Sequence, residues 1–226
     1  MKFYTSNLFG QLSLLICLIL VACTSTPIVS KDLIVQHDLL DRKNKFSEGV
    51  YYDVALCQII LVGEIGNDFS AKIQRLDGVM RKSGGCVEME LLLASRGGNV
   101  FPAMVIGGFI RENKYTTSIM AGSECTSSCG LIYIAGSIRM VNSNDNVTRL
   151  GLHKPSVVRQ GFRECIEYDQ DISFKEKYKK YLVEMLGGSS AEKYYKISNG
   201  SSCTNVTYMY GKDLLTSEIA NKDVRH

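Results

Sequence analysis

The segment SECTSSCGLIYIAG (residues 123–136) sets Cys125 and Cys129 four apart around a run of hydroxyls, directly before an apolar stretch. A serine at the start of a buried helix lies beside backbone amides that have no intrahelical partner, a setting suited to an oxyanion. Two further stretches carry chemistry-capable residues. ASRGGNV (94–100) places two glycines after an apolar run, where the backbone can approach a reacting atom closely. LGLHKP (150–155) places His153 at the end of a β-type segment, before a proline turn. A serine hydroxyl is a weak nucleophile at neutral pH and needs a base, which an imidazole supplies. Each stretch alone also fits an ordinary structural part: a helix cap, a turn, a structural histidine.

These residues need elements to hold them. YYDVALCQIILVGEI (51–65) reads as a strand or hairpin running into a turn. In 68–84, Phe69, Ile73, Leu76 and Met80 recur at helical spacing, with Asp68 or Ser70 as caps. CVEMELLLAS (86–95) has the nearly continuous apolar end of a buried parallel strand. A helix over 101–113 has Pro102 near its first turn. A strand over 115–122, a buried helix from SSCGLIYIAG, two short β segments (SIRMVNS and VTRLGLH) and a long amphipathic helix over 172–186 follow. Alternating strands and helices predict an α/β fold with a mostly parallel sheet.

The N-terminus reads as an export signal. Lys2 precedes LSLLICLILVA (12–22), an apolar run too short for an ordinary membrane span. LVAC (20–23) resembles the bacterial lipoprotein box, which implies cleavage before Cys23 and lipidation of its sulfur. Several acyl chains anchor stably where one is marginal. The expected organisation is a signal peptide over 1–22, a tether over 23–45 and one domain over 46–226. That places the domain in the bacterial cell envelope, lipid-anchored on the periplasmic side. With 26 Lys and Arg against 23 Asp and Glu, nothing calls for nucleic acid. Besides Cys17 and Cys23, six cysteines remain: Cys57, Cys86, Cys125, Cys129, Cys165 and Cys203. An even number in an exported chain argues for disulfides, whose pairing sequence cannot choose. The spacings lack a CxxC pair and a His37/His153 ligand knuckle, so no metal site is expected.

Taken in order, ASRGGNV, CTSSCGLIYIAG and GLHKP resemble the ClpP-like serine peptidases of the ClpP/crotonase superfamily. VGEIGNDFSAKI (62–73) resembles the superfamily's early strand, turn and first helix. The resemblance runs from about residue 59 to 155, and more loosely to 220. It implies a stacked ββα superhelix with Ser127 as nucleophile, His153 as general base, and the Gly98 and Ser128 amides as the oxyanion hole. The family's third member, an acid, falls near DLLTSEIANKD (213–223), where Asp213 is the nearest carboxylate. Asn205 in SNGSSCTNV, and Asp169 and Asp171, are the other residues that could orient the histidine. A Ser-His dyad is a further possibility.

The expected activity is hydrolysis of a peptide or other acyl bond without a cofactor. The alternative is a catalytically inactive binding or scaffold lipoprotein on the same fold. Acyl-CoA chemistry of the crotonase type fits less well, because an exported chain meets no CoA. An exported chain also has no ATP supply, so no ATPase partner is expected, while a homo-oligomer is compatible with the family.

Overall fold

A computed structural model describes residues 48–83, 85–159, 162–165 and 172–224. The proposed signal peptide, the tether, Cys23, Asp169 and Asp171 lie outside the described residues.

The chain opens with an antiparallel hairpin, β1 (Gly49–Asp53) on β2 (Gln58–Val62). Helix α1 (Phe69–Ser83) follows. Its helically spaced Phe69, Ile73, Leu76 and Met80 are all buried. Asp68 pairs with Lys72 at 2.7 Å, while Ser70 lies inside the helix. Strand β3 (Glu90–Ala94) is shorter than the 86–95 run suggests. Residues 86–89 before it are not strand, and Cys86 there is disulfide-bonded to Cys57 in the β1–β2 turn. Helix α2 (Val100–Glu112) is capped by Asn99, whose side chain accepts from the Phe101 amide at 3.2 Å. Pro102 takes the third helical position, where no intrahelical N–H is needed.

Strands β4 (Thr116–Ile119) and β6 (Ile138–Val141) enclose a short strand β5 (Glu124–Thr126) and helix α3 (Ser128–Ala135). Every residue of α3 is buried. Beyond them lie β7 (Arg149–Leu152), the hairpin β8 (Ser156–Arg159) and β9 (Phe162–Cys165), and helix α4 (Ile172–Leu186). The C-terminal part holds α5 (Gly188–Gly200), β10 (Thr207–Met209), α6 (Gly211–Thr216) and β11 (Lys222–Asp223).

The main sheet has the order β1-β2-β3-β4-β6-β11, and every pairing except β1–β2 is parallel. The expected α/β class with a mostly parallel sheet is what the chain forms. Each of the four central strands then turns into a second layer. After β2, Ile65 bridges Gly98; after β3, Ser95 bridges Cys125; β4 leads to β5 and β6 to β7, which pair in parallel. This second layer runs along one end of the main sheet and carries the chemistry-capable residues. Among the described residues, no helix is long and apolar enough to cross a membrane.

Candidate active site

Ser127 stands between β5 and α3, in the first irregular position after the strand. Its backbone has φ +58° and ψ −129°, outside the small left-handed well. A non-glycine residue held there costs about 1–3 kcal/mol and persists only where neighbours over-determine it. Those neighbours are identifiable. The Ser127 amide donates to the Gly151 carbonyl at 2.8 Å, and its own carbonyl accepts from Gly130 at 2.9 Å. Ser127 occupies the N-cap position of α3, yet its hydroxyl makes no capping hydrogen bond. An ordinary N-cap serine turns its oxygen onto the helix amides. This one leaves its hydroxyl free.

His153 reaches the same place through the sheet. The β5–β7 register pairs Thr126 with Gly151, so the residues that follow each strand emerge side by side. His153 is 8% exposed, and its Nδ1 lies 2.7 Å from the Lys154 carbonyl. A carbonyl accepts only, so Nδ1 carries a proton, and in the neutral imidazole the lone pair is on Nε2. Among the described residues, no hydrogen bond joins His153 to a carboxylate or to the Ser127 hydroxyl.

The glycine pair packs beside the serine without lining the cleft that Ser127 and His153 share. Gly98 bridges Ile65, with the Ile65 amide donating to Gly97 and the Asn99 amide donating to Ile65. In a parallel bridge the central residue's own N–H points the other way, here away from Ile65. The segment 95–98 lies between Ile65 and β5, so that is the side of Ser127. Both glycines have positive φ, +101° at Gly97 and +148° at Gly98. A Cβ on Gly98 would stand 2.5 Å from the Ile65 carbonyl oxygen, and one on Gly97 2.7 Å from the Ser127 Cβ. The Ser128 amide, first in α3, has no intrahelical partner.

Ser127, Ser128 and His153 line one small, partly open cleft. Val100, Leu131, Leu152 and Pro155 form its apolar walls, and Tyr178, Tyr194 and Ser198 close it from α4 and α5. Burial pushes the Tyr178 hydroxyl up to about 12, so it stays protonated at any working pH. Apart from the imidazole, no ionisable side chain of ordinary charge faces this cleft among the described residues.

Two sequence candidates are not brought here. Asp213 is exposed in the first turn of α6, and Asn205 is exposed in the loop before β10; neither lines the cleft. Two features escaped the sequence reading. Gly97 packs directly on the serine, a role its place in the Gly-Gly pair could have signalled. The Lys154 carbonyl carries no signal, since every residue type has one.

The six cysteines form three disulfides: Cys57–Cys86, Cys125–Cys129 and Cys165–Cys203. Such bonds are features of an oxidising compartment. Among known structures, the chain is similar to a ClpP1 point mutant from Listeria monocytogenes, at 17% identity with a TM-score of 0.57. The match covers 76% of this chain and 94% of that one. The fold is therefore ClpP-like. No family profile matches the sequence, and no curated protein matches it.

Proposed function

We propose that this chain is an exported, lipid-anchored serine hydrolase that cleaves a peptide or other acyl bond in the bacterial cell envelope. One observation carries the reading: a half-buried serine with strained backbone and an uncapped hydroxyl shares a cleft with a histidine whose Nε2 has no hydrogen-bond partner among the described residues. The two strand layers further support the stacked ββα superhelix of the ClpP/crotonase superfamily.

The proposed chemistry is acyl transfer through the serine. The Ser127 oxygen attacks the acyl carbon while Nε2 of His153 takes its proton. The Gly98 and Ser128 amides receive the negative charge that develops on the carbonyl oxygen. Nε2 then returns the proton to the leaving group, and water repeats the sequence to release the acid. The 2.7 Å contact of Nδ1 with the Lys154 carbonyl supports a backbone oxygen, in place of Asp213, as the group that orients the imidazole. Orienting needs an acceptor more than a charge. The uncharged, aromatic cleft suits a neutral acyl group.

The test is hydrolysis of neutral p-nitrophenyl esters and neutral peptide anilides by the domain from residue 46 onward, purified oxidised. Wild type turns over at least one of them, and Ser127→Ala and His153→Ala each lower kcat about 10³-fold or more. Equal turnover in Ser127→Ala would remove Ser127 from the mechanism. The open Ser127–His153 pair gives the inactive scaffold a specific observation in its favour. That alternative predicts no turnover in wild type and an unchanged cellular phenotype in both variants.

A further inference from the structure

The elbow serine has a competing place to go. In the arrangement present, its φ is +58° and its hydroxyl is free of the helix. In the ordinary N-cap arrangement, φ would be negative and the hydroxyl would accept from the Cys129 or Gly130 amide. That second state relieves the backbone and satisfies a helix-terminal donor, but it turns the hydroxyl away from a substrate. Something must hold the less comfortable one.

The Cys125–Cys129 disulfide spans this very turn. It joins the middle of β5 to the second residue of α3, with Cα atoms 5.2 Å apart and both cysteines fully buried. Changing the backbone of Ser127 swings the start of α3 relative to β5, and a bond tying the two flanks resists that swing. The bond is poorly suited to global stabilisation. Its partners are 4 residues apart, against 29 for Cys57–Cys86 and 38 for Cys165–Cys203, and loop-closure entropy grows with that separation.

We infer that the Cys125–Cys129 disulfide is a positioning element that keeps Ser127 in its reactive conformation against the capped one. The inference rests on the reading of Ser127 as the nucleophile. Opening the bond lowers the fraction of molecules with a competent serine, and the apparent reactivity falls in proportion.

The test compares second-order rate constants for a fluorophosphonate probe on oxidised wild type, Cys125→Ala/Cys129→Ala and Cys57→Ala/Cys86→Ala. A cooperative melt verifies that each is folded; Cys125→Val/Cys129→Ala replaces the first pair if the lost volume unfolds it. Labelling is expected to slow about 10- to 100-fold in the 125/129 variant. The 57/86 variant should lose more melting temperature and keep the wild-type rate. Equal rates for the 125/129 variant and wild type overturn the inference and leave the nucleophile reading standing. A folded wild type that takes no label overturns that reading, and the inference with it. Equal slowing in both variants also overturns it, because the effect is then general loosening.

Discussion

Ser127 is a residue tightly packed by its neighbours. Gly97 and Gly98 have no room for a methyl group and hold backbone angles that side chains avoid. Gly98→Ala should cost roughly 2–4 kcal/mol of stability, combining strain with the clash on Ile65. Gly97→Ala should instead act on the serine itself. We expect a smaller loss of melting temperature but at least about a tenfold loss of turnover, as a mispositioned nucleophile gives. Thermal melts beside initial rates separate the two. Asp213→Asn should change kcat/KM less than about twofold, since the side chain is exposed on α6 and the imidazole is already held by Lys154. A hundredfold loss there would return the acid to the mechanism. Ser127, Ser128, Gly98 and His153 are singled out in the sequence by the resemblance of their motifs, in order, to ClpP-like peptidases, and the structure puts Ser127, Ser128 and His153 on one cleft. The contact of His153 Nδ1 with the Lys154 carbonyl could not be read there, because a backbone carbonyl leaves no mark in residue type.

At the scale of elements, α3 is the post on which the site is mounted, and its packing has a testable tight spot. A Cβ on Gly130 would stand 2.6 Å from the Tyr194 hydroxyl oxygen. Gly130→Ala should therefore destabilise by about 1–3 kcal/mol despite the better helix propensity of alanine. Tyr194→Phe in the same chain removes the clashing oxygen and should restore part of that loss, a coupling readable in a double-mutant melt. Additive effects would mean that the two residues do not meet. The helices α1, α2 and α4 were legible because each buries a periodic apolar face. Strands β10 and β11 were not. They have three and two residues, and what makes them strands is pairing with β7 and β6 across 55 or more residues of chain. The β5 strand was hidden for the same reason, since its partners are Ser95 and β7.

For the whole molecule, two disulfides close long loops and one closes a short one. Chain entropy alone gives about 4 kcal/mol for Cys165–Cys203, separated by 38 residues, and about 2 kcal/mol for Cys125–Cys129, separated by 4. Reduction under denaturing conditions, followed by refolding with reductant present, should therefore lower the melting temperature mainly through the two long-loop bonds. Charge adds an acid limb to the stability. Burial alone would raise the Glu124 carboxyl, but hydrogen bonds from Arg96, Arg149 and Tyr208 outweigh it and hold it below its usual range. A depressed carboxylate stabilises the fold above its unfolded value near 4.5 and loses that contribution as pH falls through the folded value. Glu124→Gln should flatten the fall in melting temperature below about pH 4.5. A wild-type acid limb unchanged in the variant would show that this cluster contributes nothing. The central claim, an activated serine on a ClpP-like fold, is tested most directly by mapping a fluorophosphonate adduct on the oxidised protein by peptide mass spectrometry. The account predicts one adduct, on Ser127, lost in His153→Ala and retained in Asp213→Asn. An adduct on another residue, or none on a folded wild type, would contradict it.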